Sequence, residues 1–140
     1  MRPWTIIGLV LLGYGLAQYR SDAAPPAPEK PCPQPGQYWL ELPPVRWPVR
    51  SLRLGGQRYG AEALLRLLAS RARQPQDYLR QQLAAAKLSL ASGAEPSAIA
   101  ATVAEADQML QRFATREQML ALGDALEAYT RFRRYTPGCR

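Results

Sequence analysis

The sequence predicts a mainly α-helical fold: a small four-helix domain with an N-terminal irregular strap and a short β-hairpin, closed by one disulfide. Three observations predict it. From Ala61 onward, apolar residues recur at helical spacing. Just before them, "SLRLGGQRY" alternates in polarity and turns through two glycines. Two cysteines, Cys32 and Cys139, bracket the whole region.

The amino-terminal 17 residues have the layout of a signal peptide. Arg2 precedes an uncharged run from Pro3 to Tyr19 centred on "TIIGLVLLGYG", and small residues at Gly15 and Ala17 place cleavage after Ala17. The rival reading is an uncleaved membrane anchor, which the short apolar run barely supports. Residues 18–37 follow as a proline-rich tether, in which Pro25, Pro26, Pro28, Pro31, Pro33 and Pro35 favour an extended chain. Residues 38–140 form the helical domain, long enough to bury a modest core that a staple would help. In an exported chain Cys32 and Cys139 are expected to be bonded to each other. A metal site lacks histidine, and a redox pair lacks a Cys-x-x-Cys arrangement.

Trp39 and Trp47 lie in a segment broken by prolines, where they are expected to anchor the strap, each indole N–H reaching a backbone carbonyl. In the hairpin, Leu52 and Leu54 share one side, and Ser51 and Arg53 the other. The first helix, "AEALLRLLASRA", puts Leu64, Leu65 and Leu68 on one face. A second helix from Asp77 to Ser92 buries Leu79, Leu83, Ala86 and Leu90, and Gly93 stops it. Pro96 opens a third helix with Ile99, Val103, Ala106, Leu110 and Phe113 on its apolar face. Thr115 and Gln118 read as the capping box of the last helix, which presents Met119, Leu122, Leu126 and Tyr129 and ends at Pro137-Gly138. Alanines 84–86, 100–101, 104 and 106 flank the turn between the second and third helices, so these two are expected to approach closely as an antiparallel pair.

The order of these features resembles a small module of bacterial extracellular and surface proteins. Its pattern is a Gly-Tyr-Trp block, a Trp-Pro, a Ser-Leu-x-Leu-Gly-Gly hairpin and an Ala-Ala-Lys-Leu helix. The matching pieces are Tyr38-Trp39, Trp47-Pro48, "SLRLGG" at 51–56, "LAAAKLSLASGA" at 83–94 and "ATVAEAD" at 101–107. Leu40-Glu41 stand where that pattern has Asn-His, and Ser89 where it has asparagine. The resemblance implies an exported structural or interaction module and transfers no catalytic residue.

Chemistry has few candidates. With no histidine, acid–base work falls to carboxylates and tyrosines. Glu105 and Asp107, two apart on a helix, point in different directions; Asp124 and Glu127, three apart, face the same way. A small carboxylate-dependent hydrolase built on such pairs is the least favoured function, because exposed helical carboxylates usually form a solvated face. Lys87, mid-helix, is expected to lay its stem on apolar surface and reach Glu105 or Asp107.

The chain carries 18 cationic and 11 acidic side chains, a net charge of +7 that falls to +6 when Arg2 leaves with the signal. Its densest basic cluster is "YTRFRRYT", where Arg131, Arg133 and Arg134 interleave with Tyr129, Phe132 and Tyr135. Such a cluster grips phosphates or acidic glycans, or it serves the carbonyl end of the last helix. The leading expectation is therefore a non-enzymatic module of the cell envelope or surface, with envelope proteins as partners and no cofactor or metal. The alternative is a binder of anionic glycan or nucleic acid that also uses arginines 46, 50 and 53. A membrane enters only if the N-terminal segment stays uncleaved.

Overall fold

The structure, a computed structural model, describes residues 30–134 and 136–139; the signal segment, most of the tether and Tyr135 lie outside the described residues. Helix α1 spans Gly36–Glu41, followed by a 3-10 turn at Pro44–Arg46, strands β1 (Ser51–Leu54) and β2 (Gln57–Gly60), and helices α2 (Ala61–Ala69), α3 (Pro75–Ala91), α4 (Ala100–Gln111) and α5 (Arg116–Thr130). Among the described residues, no helix is long and apolar enough to cross a membrane.

The strap is more ordered than its prolines suggest. Residues 36–41 close a short helix across the 37/38 boundary drawn from composition, and Pro33 is fully buried, so packing begins several residues earlier. The tryptophans behave as expected: Trp39 Nε1 donates to Gln34 O at 3.2 Å, and Trp47 Nε1 is shared between Trp39 O and Leu42 O, both at 3.1 Å. Both rings are buried and join the core.

The hairpin is antiparallel, with Leu52 opposite Tyr59 and Arg53 opposite Arg58. Gly55 and Gly56 have φ of 61° and 81°, the two left-handed positions of a type I′ turn, which matches strand twist. Gly55 also touches α4, since a Cβ there would stand 2.5 Å from Leu110 Cβ.

Helix ends follow local chemistry where the sequence supplies it. Pro75 occupies the first turn of α3, where its missing N–H costs nothing. At the other end Gly93, φ 108°, makes a Schellman closure: Gly93 N donates to Leu90 O and Ala94 N to Ser89 O. The capping box of α5 forms in full, Gln118 N to Thr115 Oγ1 at 3.1 Å and Thr115 N to Gln118 Oε1 at 2.9 Å. Three expected boundaries move. Helix α4 starts at Ala100, after a turn in which Ile99 N and Ala100 N donate to Pro96 O. It stops at Gln111 because Arg112 turns extended (φ −137°, ψ 171°), so Phe113 leaves the helical period and is 99% exposed instead of buried. Helix α5 ends at Thr130, several residues short of Pro137, and Arg133 takes up a left-handed φ of 49° soon after.

The core gathers Leu64, Leu79, Leu83, Leu88, Ile99 and Leu126 with the two tryptophans. Its close helix pair differs from the expected one. Alanines 84–86 and Ala106 are buried, but Ala100, Ala101 and Ala104 are exposed, and α3 makes its most extensive contact with α5. The two run parallel: Pro75 and Tyr78, at the start of α3, share a hollow with Arg116 and Leu120, while Glu95, beyond the end of α3, meets Tyr129 near the end of α5. The physical reason is Gly123. It is buried on α5 and lets the Tyr78 ring lie directly on the helix backbone.

Candidate functional site

The side chains with chemical potential fall into four groups, three of which join elements of the fold. The first lies under the hairpin. Lys87 Nζ is 2.6 Å from Asp107 Oδ2 and donates to Arg53 O at 2.5 Å, while Gly55 N donates to Asp107 Oδ1 at 2.9 Å. Both side chains are mostly covered. Lys87 therefore chooses Asp107 over Glu105, which stays exposed on the other side of α4. The pair ties α3, α4 and the outer edge of β1 together.

The second group is Tyr78 with Asp124 and Glu127. The phenol donates to Asp124 Oδ1 at 2.6 Å and approaches Glu127 Oε1 at 3.2 Å, so the carboxylates do share one face, as their spacing implies. What they share is a protein hydroxyl. Burial first, then the two carboxylates, pushes the Tyr78 hydroxyl far above its ordinary range. A phenol held protonated in this way is a poor general base.

The third group is the carboxy-terminal cluster, which does not form one surface. Tyr129 is fully buried and donates to Glu95 O at 3.0 Å. Arg131 pairs with Glu127 at 3.1 Å. Arg133 reaches back across the chain, Nε to Pro33 O at 3.1 Å and Nη2 to Gln34 Oε1 at 2.9 Å. Phe132 and Arg134 remain on the surface, and Tyr135 lies outside the described residues. Beside this clasp Ser89, fully buried, accepts from Gln34 N at 2.9 Å and shares its one hydroxyl proton between Ala85 O at 2.9 Å and Gln34 O at 3.1 Å. Cys32 and Cys139 complete the seam, bonded with their Cα atoms 5.7 Å apart.

Arg133 thus acts as a clasp that offsets its own left-handed backbone. Replacing it with glutamine is expected to cost about 1–2 kcal/mol in chemical denaturation, since a hydrogen bond from a charged donor is worth about 1.5–3 kcal/mol. Arg134→Gln should change stability by less than about 0.5 kcal/mol. Equal effects from the two would remove the clasp.

Titration gives a second check. Burial, reinforced by Glu95, pushes the Tyr129 hydroxyl up to about 12 from an ordinary 10.0. An acid whose folded pKa is raised contributes stability that is fully present below the unfolded value and lost as pH rises through the folded one. Stability should therefore fall between pH 10 and 12, and Tyr129→Phe should make that fall shallower, leaving the part due to Tyr78. Glu95 works at the other extreme. Its hydrogen bond from Lys30, then that from the Ser97 amide, holds the carboxyl down to about 2 from 4.5, so its contribution is present above 4.5 and lost as pH falls through 2. Lys30→Met should flatten the acid limb.

The fourth group is basic and exposed. Arg53 and Arg58 stand directly opposite each other on the outer face of the hairpin, their guanidiniums turned to Gly56 O and Ser51 Oγ. Like charges facing across strands are unfavourable, and neither has an acidic partner among the described residues. Arg58 escaped the sequence reading although the two-glycine turn sets the register that pairs it with Arg53. Tyr78, Gln34 and Ser89 escaped it too, because their partners lie 46 to 99 residues away. No group of three or more histidine, cysteine or carboxylate side chains among the described residues could hold a metal.

Fold and site together define a disulfide-closed, mainly helical domain with one hairpin, whose polar side chains chiefly join its own elements. Comparison with protein-family models, with curated proteins and with solved structures finds no match.

Proposed function

We propose that this chain is an exported, non-enzymatic module that works through contacts of its surface with other components of the cell envelope. One observation carries the reading: Lys87, Asp107, Tyr78, Asp124 and Glu127, the residues best suited to chemistry, are all engaged in holding elements together. The disulfide supports export, since such bonds persist in oxidising compartments. Amino-terminal sequencing of the mature protein should begin at Gln18, and non-reducing mass mapping should find Cys32 joined to Cys139. A cytosolic protein that keeps Met1 and yields two reduced thiols would overturn the proposal.

A second reading, binding of an anionic polymer, draws on the hairpin more than on the carboxy-terminal cluster. Arg53 and Arg58 form a doubly charged face, with Arg46 and Arg50 just before it in the chain. Replacing Arg53 and Arg58 with glutamine should weaken retention on heparin and reduce its salt dependence more than the same change at Arg66 and Arg71. Equal losses from the two variants would leave only net charge.

A further inference from the structure

The pole of the bundle where α4 ends and α5 begins carries a feature that the preceding groups do not use. Phe113 projects fully into solvent beside a hollow of about 290 Å³ between α3, α4 and α5. Met109, Leu110, Ala114 and Met119 supply its apolar lining, and Arg80 and Arg112 its charged lining. No carboxylate lines it. Arg80 is paired with Asp77, but Arg112 has no acidic partner among the described residues.

Phe113 is not an isolated exposed ring but borders a contiguous apolar lining, and two methionines make a floor that adapts to apolar side chains of varied shape. The extended Arg112 is what puts the ring there, since a further helical turn would have folded it onto the core. The geometry points to a docking site for an acidic segment of a partner protein: an apolar side chain enters the hollow against Met109, Met119 and Phe113, and a flanking carboxylate meets Arg112. Charge complementarity selects this occupant. A second copy of the chain would bring its own Arg112 against Arg112 across a two-fold axis, where like charges oppose. The site lies at the opposite end of the bundle from Lys30, which sits beside Glu95.

This inference rests on the interaction-module reading and names the surface that reading would use. The test is selection of a displayed library of random 12-residue peptides on the oxidised protein, followed by fluorescence-anisotropy titration of the enriched peptides. Enriched peptides should carry Asp or Glu beside a large apolar residue. Their affinity should fall by about tenfold or more in Phe113→Ser, a loss typical of an aromatic anchor. Arg112→Glu should weaken binding similarly at low salt and less at high salt. Phe113 is outside the core, so Phe113→Ser should melt with the wild type. Absence of enrichment, or enriched peptides that bind Phe113→Ser as well as wild type, would overturn the site. So would a Phe113-dependent dimer in sedimentation, or Phe113-dependent co-sedimentation with vesicles of equimolar phosphatidylglycerol and phosphatidylcholine. Those results leave the module reading standing, whereas a reduced cytosolic protein would remove the reading whatever the peptides do.

Discussion

Replacing Cys32 and Cys139 with serine is expected to lower stability by about 3–4 kcal/mol without changing the fold. The bond spans 107 residues, nearly the whole domain. In the chain-entropy account a loop of about 100 residues withdraws roughly 4.7 kcal/mol of conformational freedom from the unfolded chain, and measured values usually fall somewhat below it. The native seam has other ties that persist without the bond: the Ser89 hydroxyl on Gln34 N, the Trp39 indole on Gln34 O, and the Arg133 guanidinium on Pro33 O. The variant should therefore keep its far-ultraviolet dichroism at about 20 °C and lose about 15 °C in melting temperature. Its denaturant slope should rise, because the uncrosslinked unfolded chain exposes more surface. A loss under about 1 kcal/mol would mean that the seam, not the covalent link, closes the domain.

Gly123→Ala carries the next largest effect relative to the size of the change. A Cβ at this position would stand 2.4 Å from Tyr78 Cε2 and 2.7 Å from Cδ2. The ring is not able to slide away cheaply, because its hydroxyl is held by Asp124 at 2.6 Å. Alanine brings back up to about 1 kcal/mol of helix propensity. Overpacking costs about 1–3 kcal/mol, so a net loss of about 1–2 kcal/mol is expected, and Gly123→Val should lose more. The diagnostic is a double-mutant cycle. In a Tyr78→Ala background the Gly123→Ala change should become neutral or stabilising, giving a coupling of about 2 kcal/mol between residues 45 positions apart. If Gly123→Ala is harmless in the otherwise unchanged protein, the close approach of α3 and α5 is not what sets their pairing.

The same pair shows why the helix packing was hard to read. Periodicity identifies the apolar side of α3 and α5, since Leu79, Leu83, Leu122 and Leu126 recur at helical spacing and all are buried. It does not say which apolar side meets which. The alanine-rich turn region suggested the sequential antiparallel neighbours, but a single buried glycine, paired with one tyrosine, brought α3 against the parallel α5 instead.

By itself, the sequence determined the features whose energetics close within a few residues. The Gly55-Gly56 turn, the glycine closure after Ala91 and the Thr115–Gln118 box all rest on steric freedom or hydrogen bonds between near neighbours, and all appear where expected. The pairing of Cys32 with Cys139 was legible for a different reason, that there was no other cysteine to choose. Only the tertiary structure decided the fate of individual polar and aromatic side chains. Tyr129 and Arg133 sit in one basic run, yet one is buried beneath Glu95 and the other clasps Pro33; Phe113 follows the apolar period, yet one extended residue before it turns the ring into water. Each outcome depends on a backbone segment far away in the chain, or on one φ/ψ choice at a helix end, and the free-energy differences involved are too small and too long-range for local residue patterns to encode.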